Sequence, residues 1–369
     1  DVADEKQANL DATIHRSVEL GINHIETARG YGCSERQLGR VLPKFDRDKL
    51  IVQTKIGPTD DPDQFIMHFG QSLDRLQIDH VDLLAIHGIN DNDTLNKSIR
   101  PGGCLAAARR LQRMGKAKHV GFSTHGPVDV ITRAIEHEDD GGFDYVNLHW
   151  YYIFQRNWSC IEAATQRDMG VFIISPSDKG GKLYEPSDKL VELCRPLHPI
   201  TFNDLWCLRQ TKIHTLSVGA ARPSDFNEHV DAVPYMDDID GAIGEIEQRL
   251  AAAFEQAIEP ELRNPFDGSL PDFDTAPGGI NLPIIIWLRN LAKAFDMTGY
   301  GRMRYNLLGN GGHWFPGFKV DKLVEDDNES KLRAMLSDHP LGTDRIIAIL
   351  RETDELLGGE EKKRLSEGG

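Results

Sequence analysis

Four residues stand where short apolar runs give way to polar chain: Glu26 in "NHIETA", Tyr31 in the glycine-framed loop "ARGYGCSE", Lys55 in "LIVQTKI" and His87 in "VDLLAIHG". An acid, a tyrosine, a lysine and a histidine brought together suit the reduction of a carbonyl. Hydride reaching the carbonyl carbon leaves alkoxide character on oxygen, which needs a proton at about the same moment, and the Tyr31 hydroxyl can deliver it. A Lys55 ammonium beside that hydroxyl favours its ionised form, and Glu26 can hold the lysine charged and oriented. His87 can fix the carbonyl oxygen by a hydrogen bond and stabilise its developing charge. The hydride itself comes from a cofactor, so the chain supplies position and electrostatics.

These residues meet only if successive strands carry them to one end of a sheet. Seven apolar runs recur, at 23–28, 50–56, 81–88, 119–125, 145–151, 170–176 and 214–220, with helix-like stretches between them. Runs nearly continuous in apolar residues are expected where helices cover both faces of a parallel sheet. Repeated βα units of this size build an open doubly wound sheet or an eight-stranded barrel, whose site lies at the C-terminal ends of the strands. No GxGxxG turn follows an early strand, which weakens the dinucleotide-binding version of the open sheet. Asp1 stands directly before the helical pattern "NLDATIHRSVEL", so a barrel takes its first strand from upstream or from another edge cover.

After about residue 236 the texture changes. "MDDIDGAIGEIEQRLAAAFEQAI" is amphipathic, and "PIIIWLRNLAKAFDM" carries Pro283 suited to a first helical turn. The expected organisation is a barrel over 1–236 and a small, mainly helical domain over 237–369. "YNLLGNGGHWFPG" (305–317) reads as an aromatic loop that docks on the barrel or lids the substrate, and the final residues as a frayed end.

With 42 Lys and Arg against 58 Asp and Glu, the net charge of −16 argues against a nucleic-acid partner. No apolar run approaches the roughly 18 residues of a membrane span, and the N-terminus lacks a signal-like core. Cys33, Cys104, Cys160, Cys194 and Cys207 are odd in number and widely spaced, which predicts reduced thiols and a cytosolic setting.

Five stretches in register resemble the aldo-keto reductase superfamily over roughly residues 7–236. "GINHIETARGYGCSERQLGRVL" is similar to its "GxxxxDTAxxYGxSExxLG" signature, and "IVQTKI", "VDLLAIHG", "GKAKHVGFSTH" and "SVGAARPSDFNEHV" follow in the expected order. The resemblance implies a (β/α)8 TIM barrel, its first strand absent from this chain, that binds NADPH or NADH. It implies catalytic roles for Tyr31, Lys55, His87 and Glu26, with Glu26 where the family carries aspartate. It implies cofactor contacts at Ser123, Thr124, Asn147, Ser175, Gly219, Arg222 and Ser224. Ile174 stands where many members carry an aromatic, and Asp225 where some carry an arginine for the 2′-phosphate. "GGINLPIIIWLRNLAKAFDM" and "YNLLGNGGHWFPG" resemble the C-terminal extension of a subgroup with ferredoxin-like cysteine clusters, in wording close to cyanobacterial-type relatives. Residues 208–369 contain no cysteine, so no iron–sulfur cluster is expected here.

The reading is therefore an NAD(P)H-dependent reductase of a small aldehyde or ketone, or an alcohol dehydrogenase in reverse. Two other classes use the same residues. Glu26, His87, His125 and His149 near strand ends can ligate a metal in a barrel hydrolase, although His149 reads more simply as a packed core histidine. A barrel that binds the cofactor without turnover can serve as a redox-sensing or interaction subunit.

Overall fold

The computed structural model describes residues 4–310 and 314–359. Part of the 305–317 loop, at 311–313, and most of the frayed end, from 360 onward, lie outside the described residues. Seven parallel strands form one sheet in sequence order: β1 (His24–Glu26), β2 (Ile51–Ile56), β3 (Val81–His87), β4 (Ala117–Ser123), β5 (Tyr145–Leu148), β6 (Gly170–Ile174) and β7 (Thr215–Ser217). The sheet curls into a nearly closed barrel of the (β/α)8 type. Ser217 at the end of β7 hydrogen-bonds the carboxylate of Glu26 at the end of β1.

Helices α1 (Asp4–Glu19), α2 (Ser34–Val41), α3 (Pro62–Leu76), α4 (Asn92–Ile99), α5 (Cys104–Arg113), α6 (Val128–Glu136) and α7 (Trp158–Gln166) cover the first six strands. Helix α3 shows why such segments fold locally. Asp61 caps it by accepting from Asp63 N at 2.9 Å, and Pro62 opens its first turn. Phe65, Phe69, Leu73 and Leu76 then fall on one face, and all four are buried.

Inside the barrel, Leu83 and Ala85 of β3 pack with Tyr145 of β5 and Phe172 of β6, the last two rings stacked 5.0 Å apart. Gly121 of β4 makes room for this layer, because a Cβ there would lie 2.5 Å from both the Tyr145 ring and its carbonyl oxygen. Gly121→Ala is expected to destabilise the barrel by about 1–3 kcal/mol through overpacking, read as a lower urea midpoint at unchanged slope.

The chain divides into two compact units, Asp1–Gly180 with Asn203–Ile239, and Gly181–Phe202 with Asp240–Gly369. The change in texture at residue 236 gives no hint that 181–202 group with the C-terminal helices. Hydrogen bonds explain it: Ser187 Oγ donates to Phe295 O at 2.6 Å, and Arg249 Nε to Leu193 O at 3.0 Å. After α8 (Asp188–Cys194), α9 (Pro199–Leu208) and α10 (Asn227–Val230), the second unit is helical: α11 (Ile239–Ala257), α12 (Leu282–Phe295), α13 (Thr298–Tyr305), α14 (Asn328–Met335) and α15 (Thr343–Leu357). Helix α12 is buried nearly all round and starts as its sequence predicts, with Asn281 capping Ile284 N at 3.2 Å and Pro283 in the first turn. Its buried Arg289 is gripped by both oxygens of Glu259, each at 2.9 Å. Burial opposes the charge on Glu259, yet Arg289 and Arg345 bring its carboxyl down to about 2.

No disulfide joins the five cysteines. Among the described residues no helix is long and apolar enough to cross a membrane.

Candidate active site

The end of β1 is tied to β2 beyond the last strand residue. Thr27 N donates to Gln53 O at 2.9 Å and Arg29 N to Lys55 O at 3.0 Å, so the loop carrying Tyr31 leaves the barrel beside Lys55. Tyr31 N then closes a turn onto Ala28 O at 3.0 Å, and Gly32 takes φ +52°, a backbone conformation that favours glycine. The turn leaves the Tyr31 side chain half exposed, at 50%.

Lys55 is the buried centre of the group, its side chain 1% exposed. Its ammonium forms an ion pair with Glu26 Oε1, donates to Thr27 O at 3.3 Å and lies 5.0 Å from the centroid of the Tyr31 ring. The extra methylene of Glu26, relative to the aspartate of the resemblance, does not prevent this pairing. Burial alone would push Lys55 toward its neutral form, but Glu26 and Tyr31 overcome it and hold the ammonium above the usual lysine range. Burial likewise opposes the charge on Glu26, and Lys55, His24 and the Ser217 hydroxyl bring the carboxyl below its ordinary value. The pair therefore stays ionised as a unit.

His87, at the end of β3, meets Tyr31 edge to face with ring centroids 5.5 Å apart. Burial first, then the Lys55 charge, lower its pKa to about 4, against a smaller opposing pull from Glu26. The imidazole is neutral at ordinary pH and keeps one N–H to donate. The sign of the stability linkage follows. Between about pH 4 and 6.5 the unfolded chain binds a proton at this residue and the folded chain does not, so stability falls as pH is lowered through that window. His87→Gln is expected to lose less thermal stability than the native chain between pH 7 and pH 4; equal losses would contradict the buried neutral imidazole.

The expected cofactor contacts divide. Asn147 is fully buried, with its amide donating to Glu26 Oε2 at 3.2 Å and its carbonyl accepting from Gln53 at 3.0 Å. It is thus part of the support for Glu26. Ser123 Oγ accepts from Gly88 N at 3.1 Å, and Thr124 Oγ1 donates to Ile89 O at 2.7 Å, which binds the end of β4 to the loop after β3. Ser175 leaves β6 with φ +54°. Gly219 follows β7 with open space around it, no atom outside its chain neighbours lying within 4 Å of where a Cβ would stand. Ser224 is exposed, as is the Arg222 side chain, whose Nε binds Asp225 Oδ1 at 2.9 Å. Asp225 also accepts from Ala221 N and Arg222 N, so it caps the turn at 223–226. Tyr31, Lys55, Glu26 and His87 are therefore gathered at one point, with Asn147 behind them, while Gly219, Arg222 and Ser224 lie together after β7.

Gln53 belongs to the site although the sequence reading passed over it. It bonds Asn147 on one side and His24 Nε2, at 3.0 Å, on the other. The signal was present, because residues 53 and 55 are two apart on one strand and share the interior face. Thr54 points to the opposite face and donates to Glu35 on α2 at 2.8 Å. A second trio was invisible in sequence: Ser177 Oγ lies 3.2 Å from His229 Nε2, and His229 Nδ1 bonds Asp204. The order is that of a nucleophile and its base, but Ser177 is only 2% exposed. The trio ties the loop after β6 to α9 and α10. Among the described residues, no three His, Cys, Asp or Glu side chains are grouped to hold a metal ion.

A parallel barrel with a tyrosine, lysine, acid and histidine at its strand ends defines the class, and comparison places the chain within it. Residues 3–216 match the Aldo/keto reductase family profile, and the chain belongs to that family. It is 30% identical over 150 residues to the L-galactose dehydrogenase of Arabidopsis thaliana, a stretch covering 38% of this chain and 46% of that protein. It is 27% identical over 132 residues to the L-glyceraldehyde 3-phosphate reductase of Escherichia coli strain K12, covering 31% and 36%. The chain thus spans less than half the length of these curated relatives. Among solved structures, the holo form of the aldo-keto reductase AKR11C1 from Bacillus halodurans superposes with a TM-score of 0.55 at 20% identity, over 66% of this chain and 87% of that one. Aldose reductase from Giardia lamblia gives 0.52 at 16% identity, over 66% and 88%. These structures share the barrel fold.

Proposed function

We propose that this chain is an oxidoreductase that converts an aldehyde or ketone to an alcohol, or the reverse, with NADPH as the preferred cofactor and NADH as the alternative. The observation that supports it most is the convergence of Tyr31, Lys55, Glu26 and His87 on one strand-end site. When bound, the cofactor supplies the hydride. The space where a Cβ would stand at Gly219 and the exposed cation of Arg222 suit an anionic dinucleotide, with Ser175 and Ser224 as further polar contacts and Ser123 and Thr124 on the nicotinamide side.

In this reading Tyr31 Oη gives its proton to the carbonyl oxygen. Lys55 then stands beside the tyrosinate and stabilises it. Glu26 keeps Lys55 charged and fixed, while Gln53, Asn147 and Ser217 hold Glu26. Neutral His87 donates its N–H to the substrate oxygen and sets its distance from Tyr31. We take residues 1–236, except the 181–202 segment grouped with the C-terminal helices, as the reductase barrel, 237–369 as a helical extension, and the cytosol as the setting that suits five free thiols.

Fluorescence titration with NADPH and NADH, followed by a panel of aldehydes and ketones, tests the proposal. Saturable binding with turnover is expected. Saturable binding with no turnover on any carbonyl would favour a cofactor-binding interaction subunit instead.

A further inference from the structure

Beside the proposed site, a chain of hydrogen bonds fixes the state of two histidines. The Tyr151 hydroxyl donates to Ile174 O, since a carbonyl can only accept. Tyr151 Oη therefore accepts from His149 Nδ1 at 2.5 Å, which leaves the lone pair of the neutral His149 ring on Nε2. That atom bonds His125 Nδ1, so His125 carries its hydrogen there and has Nε2 as an acceptor. The two rings stack with centroids 4.6 Å apart. Lys179 Nζ lies 3.4 and 3.5 Å from the two nitrogens of His125 and 3.5 Å from His149 Nε2. A protonated imidazole would repel this ammonium, so the three side chains together are expected to carry one positive charge.

Sheet register puts the ends of β4, β5 and β6, which the cluster follows, on the same side of the sheet as the end of β3 that carries His87. His87 is paired with Ser123, Ser123 with Asn147, and Leu148 with Ile173. His125, His149 and Lys179 follow the ends of β4, β5 and β6, the strands next in order to the one that carries His87. The Lys179 charge is felt at His87 and helps keep that ring neutral. His149 is buried, and His125 and Lys179 are half-buried.

We propose that Lys179, held in place by His125 and His149, binds an oxyanion on the carbonyl substrate, a carboxylate or a phosphate, so that acidic carbonyl compounds are favoured over neutral ones. The inference rests on the reductase reading above. A substrate bound between this cation and Tyr31 is oriented at both ends, which lowers the entropic cost of reaching a reactive pose. An ammonium recognises either oxyanion as a point charge.

Two matched pairs test the inference: 4-carboxybenzaldehyde against its methyl ester, and glycolaldehyde phosphate against glycolaldehyde, each with NADPH. On at least one pair the charged compound is expected to have a kcat/KM at least about tenfold higher, and the pair that shows it tells carboxylate from phosphate. Lys179→Met should reduce that ratio by about 10–100-fold, and Lys179→Arg should retain most of it. Equal kcat/KM within both pairs would overturn the inference and leave the reductase reading standing. A ratio unchanged in Lys179→Met, with a tenfold weaker Kd for NADPH, would also overturn it by assigning Lys179 to the dinucleotide phosphates. If no aldehyde is reduced, the reductase reading fails, and titration with terephthalate and inorganic phosphate decides the oxyanion site. Saturable binding lost in Lys179→Met would support it, and no binding would overturn it.

Discussion

Replacing Tyr31 by Phe is expected to lower turnover by about 10²–10⁴-fold, the usual contribution of a positioned general acid, while the Kd for NADPH stays within about threefold. The hydroxyl is the only atom removed, and the half-exposed side chain is not part of the core. The ring's edge contact with His87 survives the change, so the loop keeps its place. Steady-state kinetics and cofactor titration on the same preparation separate the two effects. Undiminished turnover would remove Tyr31 from the chemistry.

The second large effect concerns Lys55. Lys55→Met removes the cation from a pair whose side chains are 1% and 14% exposed, and it leaves Glu26 as a buried carboxylate with only neutral donors. Breaking a buried pair in this way costs about 3–5 kcal/mol, because one partner loses its compensation. Turnover should disappear as well, since nothing then stabilises the tyrosinate. Adding Glu26→Gln to Lys55→Met removes the stranded charge and should restore most of the stability with no return of activity. Urea unfolding of the native chain, both single variants and the double variant gives the coupling directly. A loss below about 1 kcal/mol in Lys55→Met would show the pair behaving as a surface ion pair.

The parts of the fold that follow from short-range patterns were legible in the sequence. All seven apolar runs became strands, because a barrel strand covered on both faces must be apolar almost throughout. The runs overshoot where polar loop residues extend the strand, as at 214–220, of which only Thr215–Ser217 are paired. Glu26, Lys55 and His87 were legible as residues at strand ends, and Tyr31 as the residue in the turn beyond.

Side-chain direction was less accessible. Asn147 has a residue type suited to a cofactor amide, but its rotamer turns to Gln53 and Glu26, a choice set by neighbours 94 and 121 positions away in sequence. His149 was read as a packed core residue, and it is 1% exposed; its bonds to His125 and Tyr151 arise from loops with no periodicity to announce them. The Ser177, His229 and Asp204 trio is hidden for the same reason, its members separated by 25 and 52 positions. The grouping of 181–202 with the C-terminal helices depends on contacts such as Ser187 with Phe295, 108 positions apart.

The most direct test of carbonyl reduction follows the hydride. With NADPH deuterated at both C4 positions and an aldehyde that is turned over, mass spectrometry should find one deuterium on the carbinol carbon of the alcohol, and Tyr31→Phe should suppress that product. An alcohol without deuterium, or no alcohol from any aldehyde despite saturable NADPH binding, would contradict hydride transfer at this site.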